Sequence, residues 1–306
     1  MLEKLKQRQL FITLKTGINK FWSKKRFFSD TVSFSSIWVL LIEKILLYNI
    51  DQRATAVAFN FTLAVFPTIL FLFTLIPYIP IPNLEVSIMN AIRDFMPRPL
   101  YEFAAATIYD IISRKQGGIL SFGFILALIT ATNGMGALIT AFNMADHSSE
   151  KRGYFKARAV ALMLTMLLSL VMVLSVLVIF VGGIVLKFLN EKIFPNEDIT
   201  FMMLYVLRYV VMFGTFWLVI SIIYRFAPAT KHGWRFFNIG SFIAALLIIL
   251  ATYGFSFYLS DFSTYNKLYG SIGTIIALMI WFYLIALMLI FGFELNVSIW
   301  KAKHSS

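Results

Sequence analysis

Long stretches without a charged side chain are the feature that most constrains the fold of this 306-residue chain. Five stretches contain no Asp, Glu, Lys or Arg, and a sixth is interrupted only by Arg208; together they are residues 54–84, 116–145, 159–186, 199–224, 236–260 and 268–293. A helix of about 20 mainly apolar residues crosses a bilayer, so each stretch is long enough to span. The hydrophobic fraction of 59% and the charged fraction of 14% are typical of membrane proteins. We therefore predict an all-α polytopic membrane protein with six transmembrane helices, over about residues 54–79, 118–143, 159–186, 200–224, 236–258 and 271–296.

Three shorter segments have the character of helices that lie in the plane of a membrane. Residues 2–28 place basic side chains between apolar ones at near-helical spacing, which favours an anionic membrane surface; a solvated tail is the alternative. Residues 36–50 are apolar but too short to span comfortably. In residues 83–116 an apolar stripe broken at Pro97 and Pro99 predicts two short amphipathic helices. We therefore expect amphipathic in-plane helices at the N-terminus and in the first outer loop.

The distribution of basic residues predicts the topology. With the N-terminus inside, 19 of the 27 Lys and Arg residues fall in inside segments, a positive-inside bias that places both termini in the cytoplasm. The chain then divides into a cytoplasmic basic amphipathic region with interfacial helices over residues 1–52, a six-helix transmembrane domain over 53–300 and a cytoplasmic tail over 301–306. The net charge of +12 reflects this topology. We expect membrane lipids, especially anionic ones, as partners, and no nucleic acid.

The residues that commonly build catalytic or metal sites are scarce. The chain has no cysteine, and its three histidines, His147, His232 and His304, lie in different loops or tails without metal-ligand spacing. No Gly-rich phosphate loop and no Gly-x-Ser-x-Gly nucleophile motif occurs. The sequence therefore predicts a protein that is not an enzyme and that has no catalytic residues, metal site or cofactor.

Four polar residues inside or near the predicted spans are candidates for a substrate path: Asn60, Asn133, Arg208 and Glu294. Arginine near the bilayer midplane costs about 2.5–3.5 kcal/mol, which favours a position facing the bundle interior, water or an anion. The alternatives are that Arg208 snorkels to the outer interface, that the two amides form interhelical hydrogen bonds, and that Glu294 reaches the inner interface. Pro67 is a candidate helix kink, because proline removes a backbone hydrogen bond.

Several short motifs occur along the chain in a characteristic order. They are Ala58-Phe59 with Phe66-Pro67, Thr132-Asn133-Gly134, Arg152-Gly153-Tyr154-Phe155, Tyr224-Arg225-Phe226-Ala227-Pro228, Tyr258 followed by Tyr269-Gly270-Ser271-Ile272-Gly273, and Gly292-Phe293-Glu294-Leu295-Asn296. Over roughly residues 35–300 this order resembles the YihY / virulence factor BrkB family of bacterial inner-membrane proteins. We take as family-motif positions Arg225, Pro228, Tyr258, Tyr269, Gly270, Gly273 and Asn296.

The resemblance implies six membrane spans and a place in the bacterial plasma (inner) membrane. Members of the family are linked to serum resistance and to export of lipid A precursors, while an older ribonuclease label, ribonuclease BN, is regarded as mistaken. The resemblance therefore implies a transporter or flippase of anionic lipids, glycolipids or other amphipaths in envelope biogenesis. The alternative is a non-transporting membrane scaffold for envelope assembly. A membrane-bound ribonuclease is the least favoured interpretation.

Overall fold

The computed structural model describes residues 34–47, 49–79, 82–95, 98–145, 152–192, 197–229, 235–260 and 271–304. Over these residues the chain is helical and contains no strand. The α-helices are α1 (Phe34–Leu47), α2 (Ile50–Leu75), α3 (Leu84–Phe95), α4 (Arg98–Ser113), α5 (Gly117–Ala145), α6 (Tyr154–Lys192), α7 (Glu197–Phe226), α8 (Ile239–Ser260) and α9 (Ser271–His304). A 3-10 turn, Ile76–Tyr78, follows α2. The predicted all-α class is confirmed.

Six of these helices contain a segment long and apolar enough to cross a membrane. The segments are Ile50–Tyr78, Gly117–Ala145, Tyr154–Ser175, Tyr209–Phe226, Ile239–Tyr258 and Ile275–Lys303. Each overlaps one of the predicted spans, so the prediction of six spanning helices is confirmed. The absence of charge identified the spans correctly because hydrocarbon penalises exposed charge more strongly than any other side-chain property.

Two helices extend well beyond their predicted ends. Helix α6 continues to Lys192 and α9 to His304, whereas the uncharged stretches predicted ends near residues 186 and 296. Lack of charge marks only the part of a helix that lies in hydrocarbon, and backbone hydrogen bonding continues into charged residues beyond it. Residues 301–304, predicted as part of a tail, are therefore the last turn of α9.

Short helices occur where in-plane helices are predicted, although their orientation to a membrane stays a prediction. Helix α1 is the apolar segment before the first span, and α3 and α4 form the pair in the first outer loop. Asn83, with φ of 57°, turns the chain into α3, a conformation that asparagine tolerates better than most residues. The predicted N-terminal helix over 2–28 lies outside the described residues, as does Pro97.

The described residues form two compact units, one from Met1–Phe59 with Met135–Ser306 and the other from Asn60–Gly134. In the first unit α9 packs against α8 and α1, and α7 packs against α6 and α8. In the second unit α3 and α4 pack against each other and contact the 3-10 turn. A side chain at Gly134 would lie 2.7 Å from the Phe61 ring, which shows how closely the second unit packs there. A side chain at Gly136, one half-turn further along α5, would have no neighbour within 4 Å of its Cβ.

Candidate functional site

A buried charged cluster lies at one end of the first unit. The Glu294 side chain of α9 is 0% exposed. Its Oε2 atom lies 2.6 Å from Nζ of Lys44 in α1, and its Oε1 atom lies 2.7 Å from Nη2 of Arg53 near the start of α2. Both cations are also buried, with side chains 5% and 4% exposed. We call these three residues the charge triad.

Two backbone carbonyls complete the charge triad. Lys44 Nζ donates to the carbonyl of Ala145 at 3.1 Å, and Arg53 Nη1 donates to the carbonyl of Ala141 at 3.0 Å. Ala145 ends α5, so its carbonyl has no donor within that helix and belongs to the negative end of the helix dipole. The triad has two cations and one carboxylate, and the carbonyls partly offset the excess positive charge. The Arg53 Nε atom is buried and has no hydrogen-bond partner among the described residues.

The charge triad connects three helices that apolar packing alone would hold weakly. Removing one partner from a buried ion pair typically costs about 3–5 kcal/mol, because the remaining charge stays buried and uncompensated. Association of apolar helices in lipid gains little from the hydrophobic effect, since acyl chains are as apolar as leucine. The triad therefore fixes the positions of α1, the start of α2 and α9 relative to one another.

Sequence reasoning identified Glu294 and missed both of its partners. It placed Glu294 on a substrate path or at the inner interface, whereas the structure encloses the carboxylate in ion pairs. The available signal was charge complementarity. Lys44, together with Glu43, interrupts an otherwise apolar segment, and Arg53 directly precedes the first uncharged stretch. Two cations in such positions require an anion, and Glu294 directly follows the last uncharged stretch.

Aromatic packing surrounds this end of the first unit. The rings of Phe142 and Phe293 stack with centroids 4.4 Å apart, and Tyr224 meets Phe142 edge-on at 5.5 Å. The Tyr224 hydroxyl donates to the carbonyl of Leu289 at 2.6 Å, which satisfies a polar group that is otherwise fully buried. The triad itself is almost fully buried, and a low local dielectric strengthens its ion pairs.

Asn296 has a defined role at the start of α8. Its Oδ1 accepts the backbone N–H of Gly240 at 2.9 Å, and its Nδ2 donates to Oδ1 of Asn238. Asn238 precedes the helix and accepts the N–H of Ser241 at 2.8 Å. The first N–H groups of a helix have no intrahelical partners, so Asn238 and Asn296 together cap α8. This family-motif residue therefore joins α9 to the beginning of α8.

The same contact requires glycine on both helices. A side chain at Gly240 would place its Cβ 2.2 Å from the Gly292 carbonyl oxygen and 2.5 Å from Cγ of Asn296. A side chain at Gly292 would place its Cβ 2.6 Å from the Gly240 carbonyl oxygen. Small residues allow backbones to approach in this way in membrane proteins. Helices α8 and α9 therefore meet backbone to backbone beside the cap.

The segment that follows α7 contains another family-motif position, Pro228, which is buried. Arg152 Nη2 donates to the carbonyl of Ala227 at 2.8 Å, and Oδ1 of Asn143 accepts the N–H of Ala229 at 2.9 Å. These two bonds hold the residues on either side of Pro228. Proline has no N–H to satisfy, which suits a buried position between two anchored neighbours.

The remaining family-motif positions are not gathered at this end. Arg225 and Tyr258 are exposed and Gly273 is half-buried, on α7, α8 and α9 respectively. Tyr269 and Gly270 lie outside the described residues. The motif as a whole therefore does not define one side-chain cluster among the described residues, although Asn296 and Pro228 each lie in a buried contact.

The four candidates for a substrate path fall in different environments. Asn60 is half-buried and interacts with other groups, while Asn133 is exposed. Arg208 lies within α7, but its side chain is outside the described residues. Glu294 is enclosed by the charge triad. Because Asn60 and Asn133 belong to the second unit and Glu294 to the first, a common path through them stays a prediction. The kink at Pro67, a half-buried residue inside α2, also stays a prediction.

Asn133 continues an exposed face of α5. Phe122, Ile125 and Ile129 are exposed on this helix, and Asn133 follows Ile129 by one turn. Residue 133 lies near the middle of the Gly117–Ala145 span. Its amide has no hydrogen-bond partner among the described residues. If the helix crosses the membrane here, such a group in hydrocarbon is unfavourable by several kcal/mol.

Comparison with known proteins identifies the family. The family described as virulence factor BrkB matches residues 41–306. The chain belongs to this family. A ribonuclease-like protein of Bacillus subtilis, YfkH, is 30% identical over 263 residues, covering 86% of this chain and 94% of that protein. Membrane proteins of the UPF0761 group match over shorter regions: one from Vibrio cholerae is 32% identical over 28% of each chain, and one from Idiomarina loihiensis is 33% identical over 35% of this chain and 37% of its own.

No solved structure matches the chain. The family match and the six spans together establish an integral membrane protein of the BrkB/UPF0761 family. Among the described residues, no group of three or more His, Cys, Asp or Glu side chains is placed to hold a metal ion.

Proposed function

We propose that this protein moves anionic lipids, glycolipids or related amphipaths across the bacterial plasma membrane during envelope biogenesis. In this proposal it is a multi-pass protein with both termini in the cytoplasm, and it acts by translocation without covalent chemistry. Basic residues before the first span gather anionic lipid at the cytoplasmic leaflet. The headgroup crosses along polar groups of the helices while its acyl chains stay in the bilayer.

The observation that supports the proposal is the exposed amide of Asn133. A spanning helix that serves only as an anchor has no need of an uncovered amide near its middle. An amide donates and accepts hydrogen bonds, so it can replace part of the water that a phosphate or sugar headgroup loses on entering the membrane. Arg208 is proposed as a cationic station for the phosphate further along the path.

The direct test is lipid flux in proteoliposomes. Purified protein is reconstituted with a fluorescent phosphatidylglycerol, and the fraction of label that becomes accessible to a membrane-impermeant quencher is followed with time. We expect flux above that of protein-free vesicles, a reduction of about tenfold for Asn133→Leu, and substantial retention for Asn133→Gln, which keeps the amide. Arg208→Leu should also reduce flux of this anionic lipid.

The matched control is Ile129→Leu, one turn from Asn133 on the same exposed face. This change keeps an apolar side chain and should leave flux unchanged. Equal flux for wild-type protein and Asn133→Leu, with both well folded, would remove the proposed role of α5. No flux above empty vesicles for wild-type protein with any anionic lipid or glycolipid would overturn the translocation proposal.

A scaffold that organises envelope-assembly proteins is the second candidate. The closed charge triad and the backbone contact of Gly240 with Gly292 favour it, because both fix one end of the first unit rather than opening it. On this hypothesis a helix of a partner protein covers the Asn133 face. Absent flux together with an envelope defect in cells that carry Asn133→Leu would favour the scaffold.

A further inference from the structure

A cleft in the second unit lies apart from the groups considered so far. Its volume is about 460 Å³, and it opens between the 3-10 turn after α2, the start of α3 and the end of α4. Ile76 and Ile79 contribute apolar surface, and the almost fully buried Ile112 lies behind them at the cleft wall. Asn83, Glu85 and Lys115 contribute polar groups. The cleft therefore combines an apolar wall with one side chain of each charge.

Neither Lys115 nor Glu85 forms an ion pair with the other or with any described residue. The Lys115 ammonium lies 5.6 Å from the centre of the Tyr78 ring, a cation–π contact that leaves its N–H donors available. The preceding residue, Arg114, does form an ion pair: its Nε atom lies 3.1 Å from Oδ1 of Asp110. A nearby carboxylate is thus already occupied by Arg114, and Lys115 remains open to a ligand.

Opposite charges that share a cleft without pairing indicate a ligand with both charges. A phosphate accepts hydrogen bonds from an ammonium group, and a carboxylate accepts them from a primary ammonium. Glu85 would repel a ligand with a single negative charge, and Lys115 would repel a simple cation. The isoleucine side chains suit the glycerol and first acyl carbons of a lipid, because burial of such groups is favourable.

We propose that this cleft binds the headgroup of a zwitterionic phospholipid with a primary amine, of the phosphatidylethanolamine class. Lys115 holds the phosphate and Glu85 the ammonium, while Ile76 and Ile79 contact the apolar part next to the headgroup. A choline headgroup has the same charges but no N–H donors, so it binds Glu85 less well. This inference concerns binding alone and does not depend on the translocation proposal.

The test is native mass spectrometry of the full-length protein released from detergent with lipids of matched acyl chains. The three probes are phosphatidylethanolamine, phosphatidylcholine and phosphatidylglycerol. For wild-type protein we expect phosphatidylethanolamine to bind about three- to fivefold more tightly than the other two, a ratio of the size that one partly exposed ion pair supports. Equal binding of all three, or preference for phosphatidylglycerol, would overturn the proposal.

Two variants separate the roles of the charges. Lys115→Gln should weaken binding of all three lipids, because each has the phosphate. Glu85→Gln should remove the preference for phosphatidylethanolamine over phosphatidylcholine while leaving phosphatidylglycerol bound at least as well. The control is Arg114→Gln, which removes a neighbouring exposed cation that does not line the cleft and should leave the preference unchanged. Unchanged lipid preference in Glu85→Gln protein would contradict the assigned role of the carboxylate.

Discussion

The two halves of α9 differ in how far protein covers them. From Gly292 to Ser298 every residue is buried, so this part of the helix is covered on all sides. In the other half, Ile275, Ile276, Met279 and Ile280 are exposed. The covered half contains Glu294 and Asn296, whereas the open half consists mostly of apolar residues.

Neighbouring helices of the first unit repeat this contrast. Helix α8 is most buried around Gly240, Ser241 and Ala244, and its other end exposes Phe257 and Tyr258. Apolar side chains gain little by leaving lipid for protein, whereas polar and small residues gain hydrogen bonds and close backbone contact. The covered halves of α8 and α9 hold the Asn296 hydrogen bonds and the close backbone approach, whereas large apolar side chains occur in both covered and exposed positions.

The largest expected effect comes from the charge triad. Glu294→Gln keeps the shape of the side chain but leaves Lys44 and Arg53 buried without an anion. We expect a loss of about 3–5 kcal/mol in the free energy of unfolding, measured by denaturant titration in detergent micelles. The control is Asp110→Asn, which removes the exposed partner of Arg114 and should cost at most about 1 kcal/mol.

A triple replacement sharpens the same comparison. Replacing Lys44, Arg53 and Glu294 together with methionine removes all three charges and keeps apolar volume. It should recover most of the stability lost in Glu294→Gln, since the loss comes from uncompensated charge. A triple variant as unstable as the single one would show that shape, rather than charge, holds this end of the unit together.

The backbone contact between α8 and α9 should give the next largest effect. Gly240→Ala forces a Cβ against the Gly292 carbonyl, so the helices must separate; we expect a loss of about 1–3 kcal/mol in unfolding free energy. Gly254→Ala is the matched control in the open half of α8, where a Cβ has no neighbour within 4 Å. It should be neutral or stabilising by up to about 1 kcal/mol, because alanine favours helix. Equal effects of the two changes would contradict the contrast between the halves.

The smallest expected effect comes from a comparison of two asparagines, Asn296 and Asn133. Asn296→Ala removes the acceptor for Gly240 N–H and should lower the unfolding free energy by about 1–2 kcal/mol. Asn133→Ala removes an exposed amide with no partner among the described residues and should leave stability unchanged or slightly higher. Thermal unfolding of both variants in the same detergent makes the comparison. A larger loss for Asn133 than for Asn296 would show that the Asn133 face is a structural contact.

Much of the fold was predictable, and less of the candidate site. The six spans follow from lack of charge, and the short helices α1, α3 and α4 follow from apolar periodicity and proline breaks. The sequence did not predict the ion-pair partners of Glu294, because Lys44 and Arg53 are 250 and 241 positions away along the chain. The sequence did not predict the helix cap formed by Asn296 either, because a family motif identifies a residue without showing what that residue contacts. The sequence showed that residue 133 is polar, and only the structure showed that its side chain is exposed.

The sequence by itself determined which segments are helices and which of them can cross a membrane. These properties depend on local hydrogen bonding and on transfer of each side chain into hydrocarbon, and both can be read residue by residue. Only the tertiary structure decided that Glu294 joins Lys44 and Arg53 and that Gly240 touches Gly292. Such contacts depend on which helix faces which, and nearly uniform apolar helices carry little information about their neighbours.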